Sequence, residues 1–303
     1  MASPFHAWSS AKYSFPLPEG HRFPISKYAL LRDRVIEEGI VEAEQLHDPA
    51  PVSRDDLLLV HTADYVDRFT TGRLSVDEER RLGFPWSPAL VERSYRAAGG
   101  TLEAAAYAVA HGIAMYLAGG THHAFPSHGE GFCVFNDTAI AIRALQRDGR
   151  IRRALVVDLD VHQGNGTHAI FAGDESVFTF SMHGGKNYPF HKVAGCLDIE
   201  LNDGTNDDEY LDRLFRTLPT AIAKARADLV VYLAGADPHE NDRLGRLALT
   251  FDGLARRDAF VLEQVREVGL PVAVTIAGGY GRSIDDTVRV HATTARIARD
   301  YCP

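Results

Sequence analysis

"RALVVDLDVHQGNG" (153–166) carries an unbroken apolar run straight into two aspartates and a histidine. The run is continuous rather than alternating, as expected of a strand covered on both faces of a parallel sheet. Charges at the end of such a strand are costly unless something pairs with them, and a metal ion is one such partner. Four more segments repeat the pattern: "GIAMYLAGG" (112–120), "SVFTFSMH" (176–183), "DLVVYLAGAD" (228–237) and "LPVAVTIAGG" (270–279). Between them, 87–110, 207–227 and 251–268 space their apolar residues as helices do. This alternation predicts an α/β fold with a parallel sheet. No linker interrupts the chain, so one domain over residues 1–303 is expected. The first 56 residues are less regular, and 72–88 reads as a surface connection between two helical segments.

The polar clusters fall just after the apolar runs, where open parallel sheets bind their ligands. Asp160 and His162 lie two apart, so on extended backbone they point the same way and can share one ion. Asp237 ends a different strand, with Gly235 before it giving the backbone room to turn. Two carboxylates and an imidazole suit a divalent cation and leave a position open, as catalytic zinc requires. Bound zinc lowers the pKa of water and polarises a carbonyl. Taken singly, each residue has a plainer use: aspartate caps helices, "DPHEND" can begin one, and His162 can be a core histidine. Convergence of several strand ends favours the metal. Manganese ureohydrolases place a further carboxylate two residues after such a histidine. Here that position is Gly164, which argues for a single ion.

"GGTHHA" supplies two histidines, His122 and His123, which as neighbours point in different directions. A histidine beside an activated water is a natural general base. Each needs an orienting partner on its other nitrogen, and Asp158 and Asn165 are the nearby candidates. An aspartate holds its histidine charged more readily than an asparagine does. The histidine paired with Asn165 should therefore be the better base, and the one paired with Asp158 the more cationic. Tyr280, in "AGGYG", either satisfies its hydroxyl structurally or donates to a developing oxyanion. No serine or cysteine has a nucleophile's setting, and Cys133 reads as a small buried residue.

A net charge of −9 argues against general nucleic-acid binding. No segment approaches the ~18–20 apolar residues of a membrane span. "MASPFHAWSSAKYSF" lacks the basic start and apolar core of a signal peptide, and three scattered cysteines make no disulfide framework. A soluble, cytoplasmic protein is expected.

Together these residues resemble the zinc-dependent histone deacetylase family, which includes acetylpolyamine amidohydrolases and acetoin-utilisation proteins. The matching segments run in the family's order from "HTADYV" (61–66) through "GGTHHA", "GEGFCVFND", "DLDVHQGNGT", "FSMH" and "AGADPHENDRLGRL" to "GGYG". The resemblance implies the arginase/deacetylase fold, with an eight-stranded, mainly parallel sheet flanked by helices. It implies Asp160, His162 and Asp237 as zinc ligands, with iron(II) an alternative in cells. It implies His123 as general base and acid, His122 as its electrostatic partner with Asp158, and Tyr280 as the transition-state tyrosine. Gly131 and Phe132 match one wall of the acyl-lysine tunnel, and Tyr188 in "NYPF" the other, after a loop of different length. Asp158 and Ser181 match a structural potassium site completed by carbonyls near Asp160, His162 and Met182.

Within the family, "HQGNG", "FSMH" followed by "YP", "DRLGRL" and the short length resemble class IV, and Asn165 rather than aspartate departs from class I. "GADP" sets the chain apart from animal members of that class and toward bacterial relatives. Class IV members are associated with removing long fatty acyl groups from lysine. The expected activity is hydrolysis of acetyl or longer acyl groups from lysine, in proteins or peptides. One alternative is an acetylpolyamine amidohydrolase, whose cationic substrate would be helped by acidic rim residues such as Glu130, Asp64 and Glu240. Another is a non-enzymatic module that binds acyl-lysine.

Overall fold

The computed structural model describes residues 5–302, so Met1–Pro4, the start of the stretch read for a leader, and Pro303 lie outside the described residues. Eight strands form one sheet: β1 (Ala7–Trp8), β2 (Leu46–His47), β3 (Ile113–Tyr116), β4 (Ala154–Asp158), β5 (Val177–Gly184), β6 (Leu197–Leu201), β7 (Leu229–Leu233) and β8 (Val272–Thr275). Their order is β2-β1-β3-β8-β7-β4-β5-β6, and every neighbouring pair is parallel, where the sequence suggested mainly parallel. The five strands visible in the sequence occupy adjacent places, β3-β8-β7-β4-β5, in the middle of the sheet. Their side chains are almost wholly buried, which is why they read as continuous apolar runs.

Among the described residues ten α-helices accompany the sheet: α1 (Lys27–Glu37), α2 (Arg54–Leu57), α3 (Ala63–Thr70), α4 (Val76–Leu82), α5 (Pro88–His111), α6 (Asp137–Arg147), α7 (Asn165–Ile170), α8 (Asp207–Ala225), α9 (Phe251–Glu267) and α10 (Ile284–Asp300). The three helices expected from spacing are α5, α8 and α9. Ser87, Asn206 and Thr250 cap them by accepting from the third amide of each helix, and Pro88 takes the first position of α5, where its missing N–H costs nothing.

Two segments hold more structure than their sequence pattern shows. The first 56 residues hold β1, α1 and β2, with Leu31 and Val35 of α1 fully buried. Strands of two residues are too short to show a period, so the sequence pattern missed them. Residues 72–88 do join α3 to α5 along the surface, but they hold a helix of their own: Ser75 and Glu78 form a capping box that starts α4. Leu82 and Phe84 then enter a second, smaller core with Phe15, Tyr65, Phe69 and Leu90. That core backs Phe132, whose ring lies 5.3 Å from Phe84.

His61 ties this core to the sheet edge. Its Nδ1–H donates to the Phe125 carbonyl at 3.0 Å and its Nε2 accepts the Asn136 N–H at 3.0 Å, so both nitrogens are used by the neutral ring. Asn136 in turn donates to the Ala124 carbonyl at 3.2 Å, fixing the loop that carries His122 and His123. Burial lowers the His61 pKa to about 4. Below pH 6.5 the unfolded chain takes up a proton that the folded one refuses, so this stability is whole above 6.5 and is lost as pH falls toward 4. The expected contribution is ~3 kcal/mol from that shift. Urea unfolding across this range should show a shallower pH slope in His61→Gln than in the parent; parallel slopes would refute the assignment.

Candidate active site

The carboxyl ends of four of the five central strands deliver polar residues to one place. Asp160 and His162 follow β4, Asp237 follows β7, His122 and His123 follow β3, and Tyr280 follows β8. All six are buried.

Ligand atoms of Asp160, His162 and Asp237 lie within 4.8 Å of one another. His162 Nδ1 sits 2.9 Å from Asp160 Oδ1 and 3.2 Å from Asp237 Oδ2. Main-chain amides hold the carboxylates in place: Gly278 N–H donates to Asp160 Oδ2 at 2.7 Å, and Val161 N–H to Asp237 Oδ1 at 2.9 Å. Asp237 Oδ2 accepts no hydrogen bond among the described residues. A Cβ at position 278 would stand 2.1 Å from Asp237 Oδ2 and 2.6 Å from Asp160 Oδ2. Only glycine lets the strand-end backbone come this close.

The electrostatics ask for a cation. Burial and then the charge of Asp160 push Asp237 up to about 7, while the neighbouring histidines hold Asp160 far below the carboxylate range. Burial would lower His162, but its contacts with both carboxylates outweigh it and raise it to about 10. Without a metal the cluster traps protons. A divalent ion would replace them with a fixed charge, so the donor set and its geometry fit a metal of the zinc type.

The two histidines differ as their partners do. His122 Nδ1 lies 2.7 Å from Asp158 Oδ2, and His123 Nδ1 lies 2.8 Å from Asn165 Oδ1. Burial lowers His122, but Asp158 and Asp160 more than reverse it, and its pKa rises to about 9. His123 is pulled well below its ordinary value by burial, then by the charges of His122 and His162. The tyrosine hydroxyl of Tyr280 has no hydrogen-bond partner among the described residues. The plainer reading, a structural hydrogen bond, is therefore absent. Its ring lies 6.3 Å from that of His162.

Gly131, Phe132 and Tyr188 line the outer pocket with His123 at its base. The Tyr188 ring stands edge-on to His123 at 4.9 Å. Gly131 has φ +57, and a Cβ there would meet His123 Cδ2 at 2.7 Å. Ser181 is opposite Asp158 in the β4–β5 register, and its Oγ contacts His183 Nδ1 at 2.8 Å. Asp158 Oδ1 accepts the Asp160 N–H at 3.2 Å. Cys133 is buried, with its thiol pKa pushed well up by burial, as an inert small residue would be.

Several supporting residues escaped the sequence reading. Glu130 Oε1 accepts from Asn165 Nδ2 at 2.7 Å and from the Tyr188 hydroxyl at 2.8 Å. It fixes which way the Asn165 amide faces and is not a free rim charge. Asp242 Oδ2 accepts the Tyr280 N–H at 2.6 Å, and Arg243 Nε donates to the Tyr280 carbonyl at 3.0 Å. The buried ammonium of Lys27 lies 3.4 Å from the carbonyls of Ala277 and Gly279, beneath Tyr280. Asp242 and Arg243 were visible in "DRLGRL"; Lys27 gave no signal.

A family model described as the histone deacetylase domain matches residues 21–295. An uncharacterised protein of Picosynechococcus is 47% identical over 95% of this chain and 96% of its own length. Histone deacetylase 2 of Arabidopsis thaliana is 32% identical over 87% of this chain and 70% of its own. A crystal structure of an HDAC homologue from Aquifex aeolicus has the same fold, with a TM-score of 0.86 at 23% identity, covering 98% of this chain and 84% of its own.

Proposed function

The chain belongs to the histone deacetylase family, and from that premise we propose that it is a zinc-dependent amidohydrolase removing acyl groups from the side-chain amide of lysine. One observation carries the reading: His162 of the Asp160–His162–Asp237 cluster shares a pocket with Tyr280 and with His123, whose pKa burial pulls well down. Zinc, or iron(II) in cells, would be held by those three residues and would supply Lewis acidity toward water and the amide carbonyl.

The chain's own groups do the rest. His123 Nε2 takes the proton of the attacking water and later gives it to the leaving amine. Asn165 Oδ1 holds the other ring nitrogen in its N–H form. His122, kept cationic by Asp158, stabilises the negative charge that develops. Tyr280 donates its hydroxyl to the amide oxygen as charge builds there. Phe132 and Tyr188 flank the lysine stem, with Gly131 giving it room. Asp158 and Ser181 would hold a structural potassium ion. Among the described residues no helix is long and apolar enough to cross a membrane. We place this activity in a single cytoplasmic domain over residues 1–303.

We read the chain as most like class IV. A second cavity adjoins His123 and Tyr280, lined by Phe15, Phe23, Tyr28, Phe84 and Leu90 and by the polar Arg93 and Asp160. Its largely apolar lining beside the reacting groups supports an acyl chain longer than acetyl. The polyamine alternative loses ground: Glu130 faces inward, Asp64 is paired with Arg68 at 2.8 Å, and Glu240 does not line the pocket.

The test is kcat/KM of the zinc-loaded protein on one peptide bearing acetyl-, octanoyl- or myristoyl-lysine, with acetylputrescine alongside. Octanoyl or myristoyl should exceed acetyl. Preference for acetylputrescine would overturn the lysine substrate, and turnover indifferent to chelation and zinc restoration would overturn the metal.

A further inference from the structure

The outer pocket is the way into the site, and its charge runs against the composition of the chain. The whole sequence carries a net charge of −9. Yet Arg22, Lys186, Arg243 and Arg246 line this pocket, and no carboxylate does. All four are exposed. Among the described residues only Arg246 has an ion-pair partner, Asp203 at 3.4 Å. Arg243 spends its Nε on the Tyr280 carbonyl, which leaves its charge uncompensated. Phe190, 81% exposed, adds an apolar face to the same rim.

We propose that this mouth selects acyl-lysines set in acidic segments of polypeptide, with aspartate or glutamate within a few residues of the modified side chain. The proposal rests on the lysine-deacylase reading above and names its substrate class. An acylated lysine is neutral, so the charge that the rim senses is that of its neighbours. At physiological ionic strength charges act over ~8 Å, which limits the effect to residues close in sequence or folded against the same surface. Complementary charge speeds encounter, and like charge at the rim rejects wrong partners. Basic tails and polyamines are the partners so rejected. The apolar Phe190 gives a bound segment a contact that a bare polyanion would not use.

The experiment uses three fluorescent peptides with one acyl-lysine each, flanked by aspartate and glutamate, by serine and glycine, or by lysine and arginine. Both kcat/KM and binding by anisotropy are measured at low and high salt. The acidic peptide should exceed the basic one by about 10-fold or more at low salt, with the gap closing as salt rises. The double variant Arg22→Glu, Lys186→Glu should reverse the order. Equal constants for the three peptides, or a preference for the basic one, would overturn the proposal. So would an oligonucleotide of equal charge that competes as well as the acidic peptide. If the acidic peptide binds best and none is hydrolysed, the proposed function fails and the acidic preference stands.

Discussion

Replacing His123 by alanine should lower kcat on the acyl-lysine substrate by about 10²–10⁴-fold, the usual worth of a positioned general base. Bound metal should be unchanged, because His123 is not among the three clustered ligands. The expectation follows from a chain of hydrogen bonds with only one consistent direction. Glu130 can only accept, so Asn165 must turn its Nδ2 toward it. Asn165 Oδ1 then faces His123 and can only accept, so His123 Nδ1 carries the proton. That leaves Nε2 with its lone pair. Burial, followed by the positive neighbour His122, keeps the ring neutral at pH 7.

His122 is built the other way. Burial opposes its charge, but Asp158 and Asp160 hold it protonated up to about pH 9. The pair thus divides into a neutral base and a fixed cation. Asn165→Asp tests the division. A carboxylate at that place raises the His123 pKa, so activity is lost at a higher pH as the solution is acidified. The acid limb of kcat/KM should move up, while metal content stays the same. An unmoved limb, together with an active His123→Ala, would remove His123 from the base's role.

The residues that carry this chemistry were legible in the sequence because each stands a few positions beyond a buried strand. The apolar runs "ALVV", "LVVYL" and "VAVT" mark where the sheet ends, and the topology places those ends side by side. Charge alone said that the histidine paired with Asn165 would be the better base; which histidine that is came from the family resemblance, and distances of 2.7 and 2.8 Å pair His122 with Asp158 and His123 with Asn165. What holds the strand ends was not legible. Lys27 and Arg257 arrive from helices far along the chain and bind main-chain carbonyls, which have no side-chain signature. β6 was missed for a different reason. It is an edge strand with a mostly half-exposed face, so "LDIEL" lacks the apolar continuity of its neighbours.

Arg257 leads to the second large effect. It is fully buried in α9, where the sequence shows only a charged pair inside an amphipathic pattern. Its Nη1 donates to the Gly235 carbonyl at 2.7 Å and the Leu159 carbonyl at 3.3 Å. Gly235 is two residues before Asp237, and Leu159 directly precedes Asp160. One guanidinium therefore ties together the two turns that present the carboxylates of the proposed metal cluster. Its own charge is met by Asp258, with Nε and Nη2 each 2.8 Å from Oδ1. Asp258 also accepts from the hydroxyls of Tyr232, at 2.5 Å, and Thr294, at 2.6 Å.

Removing one member of a buried ion pair leaves the other uncompensated, at a cost of about 3–5 kcal/mol. Arg257→Ala should lose that much in urea unfolding. The metal-binding turns should loosen with it, so zinc affinity should fall in a competitive chelator titration at temperatures where the variant is still folded. Arg257→Lys separates charge from shape. It keeps a cation beside Asp258 but lacks the planar fork, so it should recover part of the stability and less of the zinc affinity. Asp258→Asn in the Arg257→Ala background removes the stranded carboxylate and should restore stability without restoring the metal site. Should Arg257→Ala cost less than about 1 kcal/mol, or leave zinc affinity untouched while destabilising the fold, the guanidinium is not what joins the two turns.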